Sequence, residues 1–238
     1  MTTRSRRATL AFVVAAAAAA LPAAAGAQTV TATTGTRYVV RGAIEETATG
    51  SSMTGMRLTA TFADNTTLTG TWGFLSSDFF GPFYGVQFAD RLRVRHRNTD
   101  TFFPPYWNLR QLGGPRVTSL TFDGAPGNTL FDRSFGFLGL QEGTPGSSLG
   151  TDFFALLSGA TVQYTNIVSV APNEAVGDLY ASVTVNFADP LPNGGVNFLL
   201  DTDRVEGRLG VVPEPSTYAL MGTGLAGLLA AARRRKHG

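Results

Sequence analysis

Three observations predict an all-β fold, an antiparallel β-sandwich of jelly-roll-like type, for the middle of this 238-residue chain. Apolar residues there recur at every second position. Gly, Pro, Asn and Asp punctuate the runs at short intervals. No long segment between residues 28 and 210 keeps the 3.6-residue period of a helix. Taken in order, Leu58, Ala60 and Phe62 alternate with Arg57, Thr59 and Thr61. Leu68, Gly70, Trp72 and Phe74 then alternate with Thr67, Thr69, Thr71 and Gly73. Leu92, Val94 and His96 alternate with Arg91, Arg93, Arg95 and Arg97, and Leu120 and Phe122 with Ser119 and Thr121. The longest run sets Leu179, Ala181, Val183, Val185 and Phe187 against Tyr180, Ser182, Thr184 and Asn186. In a strand, successive side chains point to opposite faces, so each run buries one face and wets the other. Turn pairs such as Asp64-Asn65, Gly81-Pro82 and Asp123-Gly124 fall between them. About nine to eleven strands result, with room for one short helical turn at residues 152–158.

Composition narrows the chemistry. With no Cys, a disulfide framework, a thiolate nucleophile and a Cys-ligated zinc site are excluded, and with two His the composition argues against a multi-His centre. The net charge of +2 comes from the ends. Residues 28–210 hold 12 Arg, no Lys and 16 carboxylates, a formal charge of −4. The basic balance therefore gives no reason to expect a nucleic-acid partner. A chain of about 180 residues buries roughly 70% of its unfolded surface, so it needs no disulfides to fold outside the cytoplasm.

The two ends are addresses. Arg4, Arg6 and Arg7 precede an apolar run to Leu21, and Ala25-Gly26-Ala27 fits the small-x-small rule. Residues 1–27 thus read as a signal helix cleaved between Ala27 and Gln28. The general secretory route serves such a segment. Ser5-Arg6-Arg7-Ala8-Thr9-Leu10 also resembles the twin-arginine motif, with Thr9 where that motif prefers Phe. At the other end, Pro213-Glu214-Pro215 precedes an apolar stretch from Thr217 to Ala232, and Arg233-Arg234-Arg235-Lys236 follows. The prolines impose an extended break. The apolar stretch is expected to form a single transmembrane helix, 217–232. Sixteen helical residues reach about 24 Å, short of the ~30 Å hydrocarbon core, and snorkelling Arg and Lys make up the difference. The cationic end belongs on the cytoplasmic side. Residues 28–210 are then the exported domain and 211–238 the tail.

Pro213, Glu214 and Pro215, the apolar helix and Arg233, Arg234 and Arg235, in that order and this close to the chain end, resemble the PEP-CTERM sorting signal of Gram-negative bacteria. The resemblance covers about residues 211–236. It implies an exosortase-type processing enzyme, a membrane-tethered intermediate, and delivery to the cell surface or an exopolysaccharide matrix. It implies nothing about residues 28–210. Gly222-Thr223-Gly224-Leu225-Ala226-Gly227 has dinucleotide-fingerprint spacing but neither a preceding strand nor a following acid, and reads as a small-residue helix surface.

Within the exported domain, Arg91, Arg93, Arg95 and Arg97 project from one strand face, about 6–7 Å apart. Guanidinium groups bind carboxylates and phosphates bidentately, so the row suits an acidic polysaccharide. It equally suits a solvated face paired to carboxylates across the sheet. Phe79-Phe80-Gly81-Pro82-Phe83-Tyr84 and Phe102-Phe103-Pro104-Pro105-Tyr106-Trp107 flank it. Tyr106 and Trp107 are the candidate stacking platforms, the alternative being rings folded into the ends of the core. Asp201, Asp203 and Glu206, and Asp123 with Asn128, offer oxygen ligands for calcium but fit no calcium-loop pattern. No metal ligand set and no cofactor is assigned. His96 is the one His between the ends, and no G-x-S-x-G elbow accompanies it. The expectation is therefore a non-enzymatic structural or adhesive protein of the cell surface or matrix. The alternatives are a secreted module that binds acidic polysaccharide and a secreted hydrolase.

Overall fold

The computed structural model describes residues 28–40, 44–45, 48–99, 101, 107–133, 151–155, 157, 159–170, 178–192, 195–212, 217 and 220–228. The expected signal segment, residues 1–27, lies outside these residues, Ala25 and Ala27 included, and so do Pro213, Glu214, Pro215 and Arg233 to Arg235.

Two sheets face each other. The larger runs through strands β17 (Leu209–Val211), β2 (Tyr38–Val40), β13 (Thr161–Val170), β14 (Leu179–Asn186), β10 (Val117–Asp123), β4 (Arg57–Phe62) and β5 (Thr67–Thr71). Joined to it are β1 (Thr29–Ala32), β3 (Ile44–Glu45), β11 (Thr129–Asp132) and β16 (Thr202–Val205). The smaller has the order β12 (Phe154–Ala155), β15 (Val196–Leu199), β9 (Trp107–Gln111), β8 (Leu92–Arg97), β7 (Gly81–Phe88) and β6 (Gly73–Asp78). Most pairs are antiparallel, as expected of strands joined by short turns. β1 and β2, however, both lie parallel to β13. Seventeen strands are present among the described residues, more than the nine to eleven expected, because several have only two to four residues. Pieces that short carry too few alternations to be read from a pattern. Residues 152–158 form no helical turn at their described positions: Phe154 and Ala155 pair with β15.

The alternation read from the sequence faces the core where it is strongest. Leu58, Ala60 and Phe62 of β4 are buried, as are Leu92, Val94 and His96 of β8. The chain crosses from β5 in the large sheet to β6 in the small one through Trp72, whose indole N–H donates to the Gly50 carbonyl at 2.8 Å. Trp72 lies 5.0 Å from Trp107, which stacks at 5.5 Å on Phe198 and meets Phe122 of the large sheet edge-on at 5.8 Å. This aromatic column joins the sheets. They approach so closely beside it that a Cβ on Gly70 would lie 2.3 Å from a Val86 methyl.

The expected β14 face divides between two cores. Val183, Val185 and Phe187 join the main one, while Leu179 and Ala181 pack with Val40, Leu130, Val168 and Val205 in a second. The division falls opposite Asn166 of β13, which is left-handed (φ 66°) and makes no ladder pair, although the register is the same on either side of it, Thr165 facing Ser182 and Ile167 facing Tyr180. Tyr180 joins the main core.

Candidate functional site

The outer face of the small sheet is built around β8. Its inward residues anchor it in the core, so Arg93, Arg95 and Arg97 must point outward, half-buried. The register then decides their neighbours. Arg97 faces Phe83, Arg95 faces Gly85 and Arg93 faces Gln87 on β7. On the other side Arg93 faces Arg110 and Arg95 faces Asn108 of β9. Asn108 donates to Asn197 of β15 at 2.9 Å. Gly85 is required: a Cβ there would lie 2.1 Å from the Val94 carbonyl oxygen and 2.8 Å from both Arg95 Cα and Leu75.

Charge on this face is unbalanced. Arg97 holds Asp78 through two bonds of 2.8 Å, and that fork keeps the Asp78 carboxyl down at about 2. Arg95 and Arg97 each stand 4.2 Å from the centroid of the same Phe83 ring. Cation–π contact of this kind contributes about 0.5–1 kcal/mol per pair. Burial, with Arg93, Arg97 and Arg110 nearby, pulls the Arg95 guanidinium below its ordinary value. Neither the buried Nε of Arg93 nor that of Arg95 has a hydrogen-bond partner. Among the described residues, Asp78 is the one carboxylate in an ion pair with this row.

Two expectations about the face need correction. Arg91 is not part of the row. The strand starts at Leu92, and Arg91 stands in the preceding turn, bonded to Asp64 at 3.3 Å and to the Thr66 hydroxyl at 2.5 Å at the tip of the β4–β5 hairpin. Trp107 is no stacking platform: it is wholly buried and its indole N–H donates to the Leu200 carbonyl at 3.1 Å. A ring that size is worth more in the core than in solvent. Tyr106, with Phe102 to Pro105, lies outside the described residues. Of the first aromatic cluster, Phe83 lies under the guanidinium groups while Phe79 and Phe80 project from the hairpin tip. Arg110 went unnoticed in the sequence; only the β8–β9 register reveals it.

His96 is buried, with Nδ1 at 2.5 Å from the Arg97 carbonyl oxygen, which places a proton on that nitrogen. It packs against Trp107. Asp201 and Asp203 are buried beside the second core. Among the described residues, no group of three or more His, Asp or Glu is arranged to hold a metal ion.

The large sheet brings together carboxylates that no spacing suggested. β11 pairs with β14, opposing Asp132 to Leu179, and with β16, opposing Phe131 to Thr202. Asp132, Asp178 and Asp201 are thereby buried close enough to repel. Burial first, then Asp201 and Asp178, push the Asp132 carboxyl up to about 9. Its Oδ1 and the Oδ2 of Asp178 have no hydrogen-bond partner. Arg133 next door holds Asp152 through bonds of 2.7 and 3.1 Å.

The last strand among the described residues is β17, at the edge of the large sheet, and the Val212 amide after it donates to the Arg37 carbonyl at 2.8 Å. The next residue is Pro213. Residues 211–236 match the family model of the PEP-CTERM protein-sorting motif. No curated protein and no solved structure matches the chain. A PEP-CTERM motif marks an exported protein handled by an exosortase-type enzyme. Within the motif, residues 217 and 220–228 are helical, with Leu220, Met221, Leu225 and Leu228 exposed. A Cβ on Gly222, Gly224 or Gly227 would meet nothing within 4 Å, so the small-residue surface is free. Among the described residues no helix is long and apolar enough to cross a membrane; residues 218–219 and 229–232 of the expected span 217–232 lie outside them.

Proposed function

We propose that this exported protein is retained at the cell surface or in the exopolysaccharide matrix as a structural or adhesive component, and that it holds acidic polysaccharide on the outer face of its small sheet. One observation carries the reading: Arg93 and Arg95 keep buried, unpartnered Nε groups beside Arg110, while Asp78 is spent on Arg97. An anionic ligand on this face would pair with the accessible ends of half-buried guanidinium groups that, among the described residues, no carboxylate holds. Gln87, Asn108 and Asn197 line the same face and suit hydroxyl groups. The sorting motif supports the location, since it sends the chain out of the cytoplasm.

The test is binding of the producing cell's own acidic polysaccharide by the wild type and by the Arg93→Ser/Arg95→Ser variant. We expect at least tenfold weaker binding for the variant, and weaker binding of both with added salt. Equal binding, or none by the wild type, removes the polysaccharide reading. We read the domain as a binding protein rather than an enzyme; turnover in a screen of glycosidase and esterase substrates would overturn that.

A further inference from the structure

The β6–β7 hairpin ends in a two-residue tip, closed by the Asp78–Gly81 pair, with Gly81 at φ 118°. The tip residues are Phe79 and Phe80, 96% and 79% exposed, their rings 5.4 Å apart and edge-to-face. Burying one such ring favours folding or binding by roughly 1.5–3 kcal/mol, so two exposed side by side point to a partner.

The polar groups behind the rings are already satisfied. The Phe80 amide donates to Asp78 Oδ1 at 2.9 Å, and both Asp78 oxygens accept from Arg97. Arg97 stands 5.6 Å from the Phe80 ring, and Arg95 lies one step further along the strand. The order outward is therefore cations, a neutralised carboxylate, then bare aromatic rings. We propose that this tip seats in the interfacial region of a lipid surface bearing anionic headgroups. Lipid demands that polar groups be paired before entry, which the Asp78–Arg97–Phe80 arrangement provides. Anionic headgroups then meet the Arg side chains just behind the rings. Sugar hydroxyls would need free donors and acceptors at the tip, and Asp78 and the Phe80 amide are spent internally. The sorting motif brings the chain to a membrane in any case. Polysaccharide binding uses Arg93, Arg95 and Arg110 in the middle of the face; the two rings, Asp78 and Arg97 belong to the tip.

Native Trp72 and Trp107 are 1% and 0% exposed, so a Trp placed at the tip supplies the responsive fluorescence. The experiment adds vesicles of phosphatidylglycerol and phosphatidylcholine with brominated acyl chains to the full chain carrying Phe80→Trp. The expected result is a shift of emission to shorter wavelength and quenching by bromine, with quenching reduced at least threefold when Phe79→Ser is added. Vesicle-bound chain whose tip emission stays unshifted and unquenched overturns the proposal, because the tail alone then holds the membrane. An equal response on phosphatidylcholine alone overturns the assignment to anionic lipid. A response to soluble alginate without vesicles assigns the tip to polysaccharide instead. A shift that grows with protein concentration alone assigns it to a second copy. An unquenched tip leaves the expected loss of polysaccharide binding in the Arg93→Ser/Arg95→Ser variant unchanged, so the two readings fail separately.

Discussion

The outer face of the small sheet and the junction of β11, β14 and β16 both gather charges of one sign, but they relieve the repulsion differently. On the face, Arg93, Arg95, Arg97 and Arg110 stay charged; Phe83 and Asp78 take up part of the load, and water or a ligand takes the rest. At the junction, Asp132 is too deeply buried to ionise at neutral pH, and its carboxyl is pushed up to about 9. Arginine cannot shed its proton. Aspartate can take one up, so burial converts its charge problem into a pH dependence. The residue type and the depth together decide whether a like-charge cluster becomes a binding surface or a titrating core.

The largest expected effect comes from removing what stands between the two regions. Trp107→Ala opens the aromatic column of Trp72, Phe122 and Phe198 and should cost about 3–5 kcal/mol in urea unfolding. A loss below about 1 kcal/mol would mean that the sheets do not depend on the column.

Next is Asp132→Asn. Its folded carboxyl titrates near 9, above the unfolded value, so the neutral form's contribution is complete below about pH 4 and fades as pH rises towards 9. The variant should gain roughly 2–4 kcal/mol over wild type at pH 8 and almost nothing at pH 4. Equal stability at both pH values would place Asp132 in contact with water.

On the cationic face the same logic predicts little change in stability. Arg93→Ser removes a like-charge neighbour of Arg110, so unfolding should shift by no more than about 0.5 kcal/mol, towards stability. A marked destabilisation would mean that Arg93 is structural and would weaken the binding reading.

The smallest effect concerns Asp78. Its pairing with Arg97 holds the carboxyl at about 2, so this contribution is present above pH 4 and lost as pH falls through 2. An NMR titration of the Asp78 carboxyl should show that midpoint. A midpoint near 4 would dissolve the fork and leave the face with a free carboxylate.

The contrast also separates what was legible in the chain from what was not. β4 and β8 could be read directly, because alternation over six residues reports which face is buried. So could the sorting motif, whose parts are contiguous in sequence. The divided face of β14 could not be read: it parts opposite a left-handed residue of another strand, Asn166 of β13. Nor could the fate of Trp107: a Trp beside two prolines reads alike as platform or plug until Phe122 and Phe198 are seen to enclose it.

The sequence by itself determined the all-β character of the domain, the outward direction of Arg93, Arg95 and Arg97, and the address at the C-terminus. Each depends on residues within a few positions of one another, where backbone geometry sets the outcome. The tertiary structure alone decided that Arg93 would oppose Arg110, that Arg91 would leave the row for Asp64, and that Asp132, Asp178 and Asp201 would share a buried corner. Those meetings follow from the register between strands distant in sequence. Register is fixed by how whole faces pack, so no local run of residues announces it.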